Sequence, residues 1–133
     1  MTETVVLDTS AVLASVFGEP GADKVDSYVQ ADSHLLITSV NMVEVVSKLL
    51  DKGIPIDIAL QLLQPLGLDE ITFGDSLGAI AARLRPLTRS AGLSLGDRCC
   101  LALAKAKGAP ALTSDRNWSD IAKAAGVKVE LIR

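Results

Sequence analysis

Four acidic side chains stand where this chain passes from one element to the next. Asp8 closes the β-branched run "TVVLD" (4–8), and Glu44 lies in the first turn of "NMVEVVSKLLDKG" (41–53). Asp97 opens an apolar helix that begins at Gly96, and Asp115 closes "APALTSD" (109–115). In a strand–helix alternation, strand ends and helix starts meet at one edge of the sheet, where such folds bind ligands. Three or four carboxylates gathered there repel one another strongly when the site is empty. A hard divalent cation with oxygen ligands, Mg²⁺ or Mn²⁺, relieves that repulsion. Each acid also has a purely structural reading. Asp97 suits a helix N-cap, worth roughly 1 kcal/mol. Asp8 suits the cap of the helix that starts at Ser10, and Asp115 suits a turn. Asn41 with Glu44 has the form of a capping box, with Lys48 as the i+4 partner of Glu44.

Other chemistries lack their residues. Cys99 and Cys100 are neighbours on a helix, where adjacent side chains diverge and a bridge is strained. No CxxC spacing occurs and His34 is the sole histidine, so neither a zinc site nor a Cys–His nucleophile is supported. The two cysteines are expected to be apolar filler. Aromatic residues make up 3% of the chain, too few for a base-stacking platform. The formal net charge of −3 argues against general coating of DNA. Arg83, Arg85, Arg89, Arg98 and Arg116 nevertheless fall in the second half, as a solvated helix face or as contacts for phosphate or a partner. "MTETVVLDTSAVLASVF" has an acidic start and an aspartate inside its apolar run, unlike a signal peptide. No stretch approaches the ~20 apolar residues of a membrane span. A cytoplasmic protein with no membrane association is the expectation.

The elements that must position the acids follow from periodicity. Strands are expected at 4–8, "HLLITS" (34–39), "DEITF" (69–73), 109–115 and "VKVELI" (127–132). Helices are expected at 10–17, 22–31, 41–53, 56–67, 75–92 (kinked or ended near Pro86), 96–108 and 117–126. Gly96 is expected to let the backbone turn tightly before Asp97. Such alternation indicates an α/β fold with a parallel sheet covered on both faces. With 133 residues, 49% of them hydrophobic, and no repeat or linker, residues 1–133 are expected to form a single domain.

The segments "VVLDTSAVLA", "SVNMVEVVSKL", "LSLGDRCCLALAKAKG" and "ALTSDRNW" occur in this order across essentially the whole chain. Together they resemble the PIN-domain ribonucleases, particularly the VapC-type toxins of prokaryotic toxin–antitoxin pairs. The resemblance implies a PIN-like three-layer α/β/α fold with a central parallel sheet. It places the family's acids on Asp8, Glu44, Asp97 and Asp115, as catalytic residues and metal ligands, and a small hydroxyl residue on Ser10. Asp120 lies close enough in sequence to share the fourth role. The implied activity is metal-dependent endoribonuclease cleavage with Mg²⁺ or Mn²⁺, inhibiting translation and growth. The implied partners are an RNA substrate, a cognate small antitoxin and a second copy in a homodimer. Thr113 and Asn117 flank the fourth acid in supporting positions. Arg98 and Arg116 each follow a ligand position, facing substrate phosphate, antitoxin carboxylates or the acidic cluster itself. Two other readings stand beside this one. A catalytically silent PIN-like binding module would carry the same pattern. A haloacid-dehalogenase-type phosphatase would want a second acid at position 10, where the stretch Asp8-Thr9-Ser10 has serine.

Overall fold

The computed structural model describes residues 2–133. Short β-branched and leucine-rich runs give five strands: β1 (Thr4–Leu7), β2 (His34–Thr38), β3 (Asp69–Ile71), β4 (Ala111–Thr113) and β5 (Val129–Leu131). All neighbours pair in parallel, in the order β3-β2-β1-β4-β5. The chain builds outward from β1 on one side and then crosses to β4 and β5. The order therefore reverses between β1 and β4, and that crevice is where open α/β sheets bind ligands.

Alternate residues of β1 and β2 face opposite sides, which splits the core in two. Val5, Leu7, Leu35 and Ile37 pack against α1 (Thr9–Phe17), α2 (Ala22–Gln30), α3 (Ser39–Asp51) and α4 (Ile56–Leu63). Val6 and Leu36 pack against α5 (Asp75–Thr88), α6 (Leu95–Lys107) and α7 (Trp118–Ala125). The result is a three-layer α/β/α arrangement around a central parallel sheet, as the sequence led us to expect. With Leu, Val, Ile and Ala dominating both halves, the core is aliphatic. Cys99 and Cys100 are free and buried in it. Among the described residues no helix is long and apolar enough to cross a membrane.

Local chemistry moves several boundaries. Helix α3 starts at Ser39 because Thr38, not Asn41, is its cap: the Thr38 hydroxyl accepts from the Asn41 amide at 2.9 Å. Helix α5 runs through Pro86 and ends two residues later at Thr88. Near its end the Thr88 hydroxyl donates to the Leu84 carbonyl at 2.9 Å. Helix α6 starts at Leu95, capped by Ser94 rather than by Asp97.

Candidate active site

Asp8 follows the last residue of β1 and sits at the N-cap position of α1, but its carboxylate caps nothing. It points instead across the crevice to β4. Its Oδ2 accepts from the Ser10 hydroxyl at 2.7 Å and the Thr113 hydroxyl at 2.9 Å. Asp115 is tied to the same point, since its amide donates to Thr113 Oγ1 at 3.1 Å. The amide of Ser114 donates to Ser10 Oγ at 3.0 Å. Thus Ser10 and Thr113 lock the ends of β1 and β4 together around one carboxylate.

Glu44 and Asp97 close the other side. Thr9 donates to Glu44 Oε1 at 2.8 Å, and the Asn41 side-chain amide donates to the same oxygen at 3.0 Å. That amide also donates to the Gly96 carbonyl at 3.1 Å, joining α3 to the first turn of α6. Gly96 does not make the expected tight turn. It is helical and is absent from the glycines with positive φ, and its role is close approach: a Cβ there would lie 2.7 Å from the Glu44 carboxyl carbon. Glu44 consequently turns toward Thr9 and Asn41 rather than Lys48. The two ion pairs among the described residues are Lys24–Glu130 and His34–Asp69.

Asp97 stands at N3 of α6 in a capping box. Its Oδ2 accepts from the Ser94 amide at 2.8 Å, while Ser94 Oγ accepts from the Asp97 amide at 3.2 Å. The structural reading of Asp97 as a capping residue is therefore half right, and it does not exclude a second role for the free oxygen. Each of the four acids spends one oxygen on local donors: Asp8 Oδ2, Glu44 Oε1, Asp97 Oδ2 and Asp115 Oδ1, the last accepting from the Asn117 amide at 3.0 Å.

The electrostatics tie these groups together. Burial raises the Asp8 carboxyl from its usual 3.8 to about 6; the Ser10 and Thr113 hydrogen bonds pull the other way, and the charge of Asp97 adds to the rise. Asp97 is also raised, by burial first and then by Asp115 and Glu44. Burial pushes the Cys100 thiol well up and the Cys99 thiol up, so neither is an activated nucleophile.

The remaining candidates sit outside this ring. Asn117 is exposed and reaches Asp115 through its backbone amide. Asp120 is exposed on the first turn of α7, and no hydrogen bond among the described residues joins it to the cluster. Arg116 is exposed. Arg98 makes no ion pair with the acids among the described residues; its Nη1 donates instead to the Ala81 carbonyl on α5, at 3.4 Å. Thr9 and Asn41 escaped the sequence reading. The pattern N-x-x-E was visible, but it describes a side chain holding Glu44 rather than a helix cap.

The donor set suits a hard divalent cation: all oxygen, with His34 engaged by Asp69 on the opposite edge of the sheet. As the side chains stand, no three acidic, histidine or cysteine groups among the described residues gather closely enough to hold an ion. Their local hydrogen bonds hold the carboxylates apart, which is the low-energy arrangement for like charges without a counterion.

The PIN-domain family model matches residues 5–124, and the chain belongs to that family. Among solved structures, the fold is similar to a chain of the DNA-bound VapBC complex of Salmonella typhimurium. The TM-score is 0.76 at 15% identity, covering 100% of both chains. A chain of the VapBC2 complex of Rickettsia felis bound to a promoter DNA fragment has a TM-score of 0.74 at 16% identity, covering 96% of this chain and 98% of that one. A chain of a toxin–antitoxin complex from Klebsiella pneumoniae has a TM-score of 0.70 at 17% identity, covering 97% and 98%. No curated protein matches the sequence.

Proposed function

We propose that this protein is a divalent-metal-dependent endoribonuclease acting as the toxin of a toxin–antitoxin pair. The observation that carries the reading is a buried aspartate, 5% exposed, at the switch point of a parallel sheet, with its carboxyl raised and no basic side chain paired to it among the described residues. Leaving a buried charge without a partner costs several kcal/mol unless a cation compensates it.

Asp8, Asp97 and Asp115 are the proposed metal ligands, with Glu44 either joining them or orienting the attacking water. When bound, Mg²⁺ or Mn²⁺ lowers the pKa of water and stabilises charge developing on the phosphodiester. The chain's own residues prepare the site. Ser10 and Thr113 fix the Asp8 carboxylate, and Thr9 with Asn41 aims Glu44 past Gly96. Each acid keeps one oxygen free at the end of the β1–β4 crevice, and a bound cation would draw these oxygens inward around a phosphodiester. Arg98 and Arg116 each follow one of these acids in the chain and are proposed to contact substrate phosphate or an antitoxin carboxylate.

The structurally similar toxin–antitoxin complexes support a small antitoxin as partner. So do exposed apolar side chains on α3 and α4, among them Val43, Ile56, Leu60 and Leu62. A homodimer buried through the same kind of surface, and a cytoplasmic setting, belong to the proposal.

The test is cleavage of a mixed set of structured RNAs with Mg²⁺, Mn²⁺ or chelator, comparing wild type with Asp8→Asn and Asp97→Asn. Asparagine is chosen at 97 because it keeps an acceptor for the Ser94 amide, so the start of α6 stays capped. Metal-dependent cutting that falls at least a hundredfold in both variants establishes the nuclease. Cutting that persists in both overturns the site. If no RNA is cut while a divalent ion still binds, the silent binding module is the surviving reading.

A further inference from the structure

Charge divides between the two helical layers. Residues 1–74, which hold β1–β3 and α1–α4, carry eleven acidic and three basic side chains. Residues 75–133, which hold α5–α7 with β4 and β5, carry five acidic and ten basic. Two of those five acids are Asp97 and Asp115, already in the candidate site. The half of the chain that builds α1–α4 is thus net −8 and the half that builds α5–α7 is net +5, with the carboxylate cluster drawn from both.

The basic side chains are free to act. Arg83, Arg85, Arg89, Arg116 and Lys123 are exposed, and none enters an ion pair among the described residues. Arg98 links them to the site. It follows Asp97 on α6 and is half-buried against α5. Its sole described hydrogen bond is the 3.4 Å contact to Ala81, and its Nε is buried with no partner. One turn beyond Ala81 on α5 comes Arg85, and one turn further Arg89, on the same side of the helix. Arg116 stands on the other flank, next to Asp115. A purely structural account explains part of this, since Arg85 and Arg89 suit the C-terminal end of α5. It leaves the unspent donors of Arg98 and the exposure of Arg116 unexplained.

We propose that the outer face of the α5–α7 layer, through Arg85, Arg89, Arg98 and Arg116, holds the phosphate backbone of RNA flanking the scissile bond, and that the α1–α4 layer does not. The inference rests on the ribonuclease reading and specifies which surface serves it. A polyanion reaching four carboxylates needs compensating charge along its approach, and the half of the chain that builds α5–α7 is the one with a net positive charge. Guanidinium suits phosphate because its planar donors pair with two oxygens at once.

The experiment is fluorescence anisotropy of a labelled, unstructured RNA oligonucleotide, in chelator so that no cleavage occurs, across a series of salt concentrations. It compares wild type, the triple variant Arg85→Ala/Arg89→Ala/Arg116→Ala, and Lys48→Ala/Lys52→Ala in the opposite layer. Emission from Trp118, the sole tryptophan and fully buried, reports that each variant is folded. For single strands, each lost phosphate contact makes the dependence of log K on log salt shallower by about 0.7. The triple variant is expected to bind at least tenfold more weakly at low salt, with a slope reduced by about 2, while the lysine variant matches wild type. An unchanged slope in the triple variant, an equal loss in the lysine variant, or no RNA binding by wild type overturns the proposal. So does arginine-dependent binding of polyglutamate in place of RNA, which would make this layer a surface for an acidic protein. The ribonuclease reading fails separately: RNA binding through these arginines without metal-dependent cleavage keeps the surface and removes the activity.

Discussion

Asp8 is placed where its charge is costly to the free protein. A carboxyl raised from 3.8 to about 6 by burial binds its proton more tightly folded than unfolded. The stabilising contribution of that proton is fully present below the unfolded value and is lost as pH rises through about 6. The size of the raise corresponds to roughly 3 kcal/mol for complete titration. Asp97 is raised in the same direction, whereas Glu130, bonded by Tyr28 and Lys24, is lowered and loses its contribution only at more acidic pH. The metal-free protein should therefore become more stable as pH falls from 7 toward 4.5. Asp8→Asn should flatten most of that dependence and melt above wild type at pH 7. Urea titrations in chelator at a few pH values measure both. A wild type that loses stability steadily over this window would show that the Asp8 carboxyl is not raised. Asp8, Asp97, Glu44 and Asp115 were legible as residues because acids at the ends of apolar runs stand out. Thr9 and Asn41 were not, because small polar side chains near a helix start look alike whether they cap the backbone or aim a carboxylate.

At the scale of elements, the approach of α3 to α6 decides whether Glu44 belongs to the site. The approach is set by a missing side chain: Gly96 leaves room for the Glu44 carboxylate, and its carbonyl takes a hydrogen bond from Asn41. Alanine in place of a helical glycine gains up to about 1 kcal/mol of intrinsic helix stability. At Gly96 that gain is offset, since the new methyl must push the Glu44 carboxylate away from Thr9 and Asn41. Gly96→Ala should thus change the melting temperature by only a few degrees while lowering RNA cleavage at least tenfold. Full activity would mean that Glu44 has no part in the chemistry. Sequence periodicity gave the order of strands and helices because buried parallel strands are short apolar runs bounded by polar turns. Helix starts were less legible. Thr38 and Ser94 cap α3 and α6 one or more residues before the expected starts, and only folded geometry shows which hydroxyl meets which amide. Pro86 likewise sits inside α5, whose helix ends only at Thr88.

Across the whole molecule, the fold brings together side chains that lie far apart in sequence, and no run of residues records that meeting. Alternation implied a parallel sheet, but strand order fixes the crevice: β1 and β4 become neighbours only because the chain crosses over after β3. Asp8 and Thr113 are 105 residues apart and share a hydrogen bond of 2.9 Å. A ligand that engages carboxylates from β1, β4 and α6 at once must bind the folded chain and not the unfolded one. It therefore stabilises the fold by mass action, by about 2.7 kcal/mol at a hundredfold excess over its dissociation constant. Mn²⁺ or Mg²⁺ titrated into the protein at neutral pH should raise the melting temperature progressively. Asp8→Asn should start from a more stable metal-free state and show little further rise. The two effects share one cause: the charge that burdens the free protein is the charge that an ion at this site would compensate. A melting curve indifferent to both ions would remove the metal from the site, leaving the raised carboxyl of Asp8 as a feature of packing alone. A rise that survives in Asp8→Asn would place the ion elsewhere among the chain's acids.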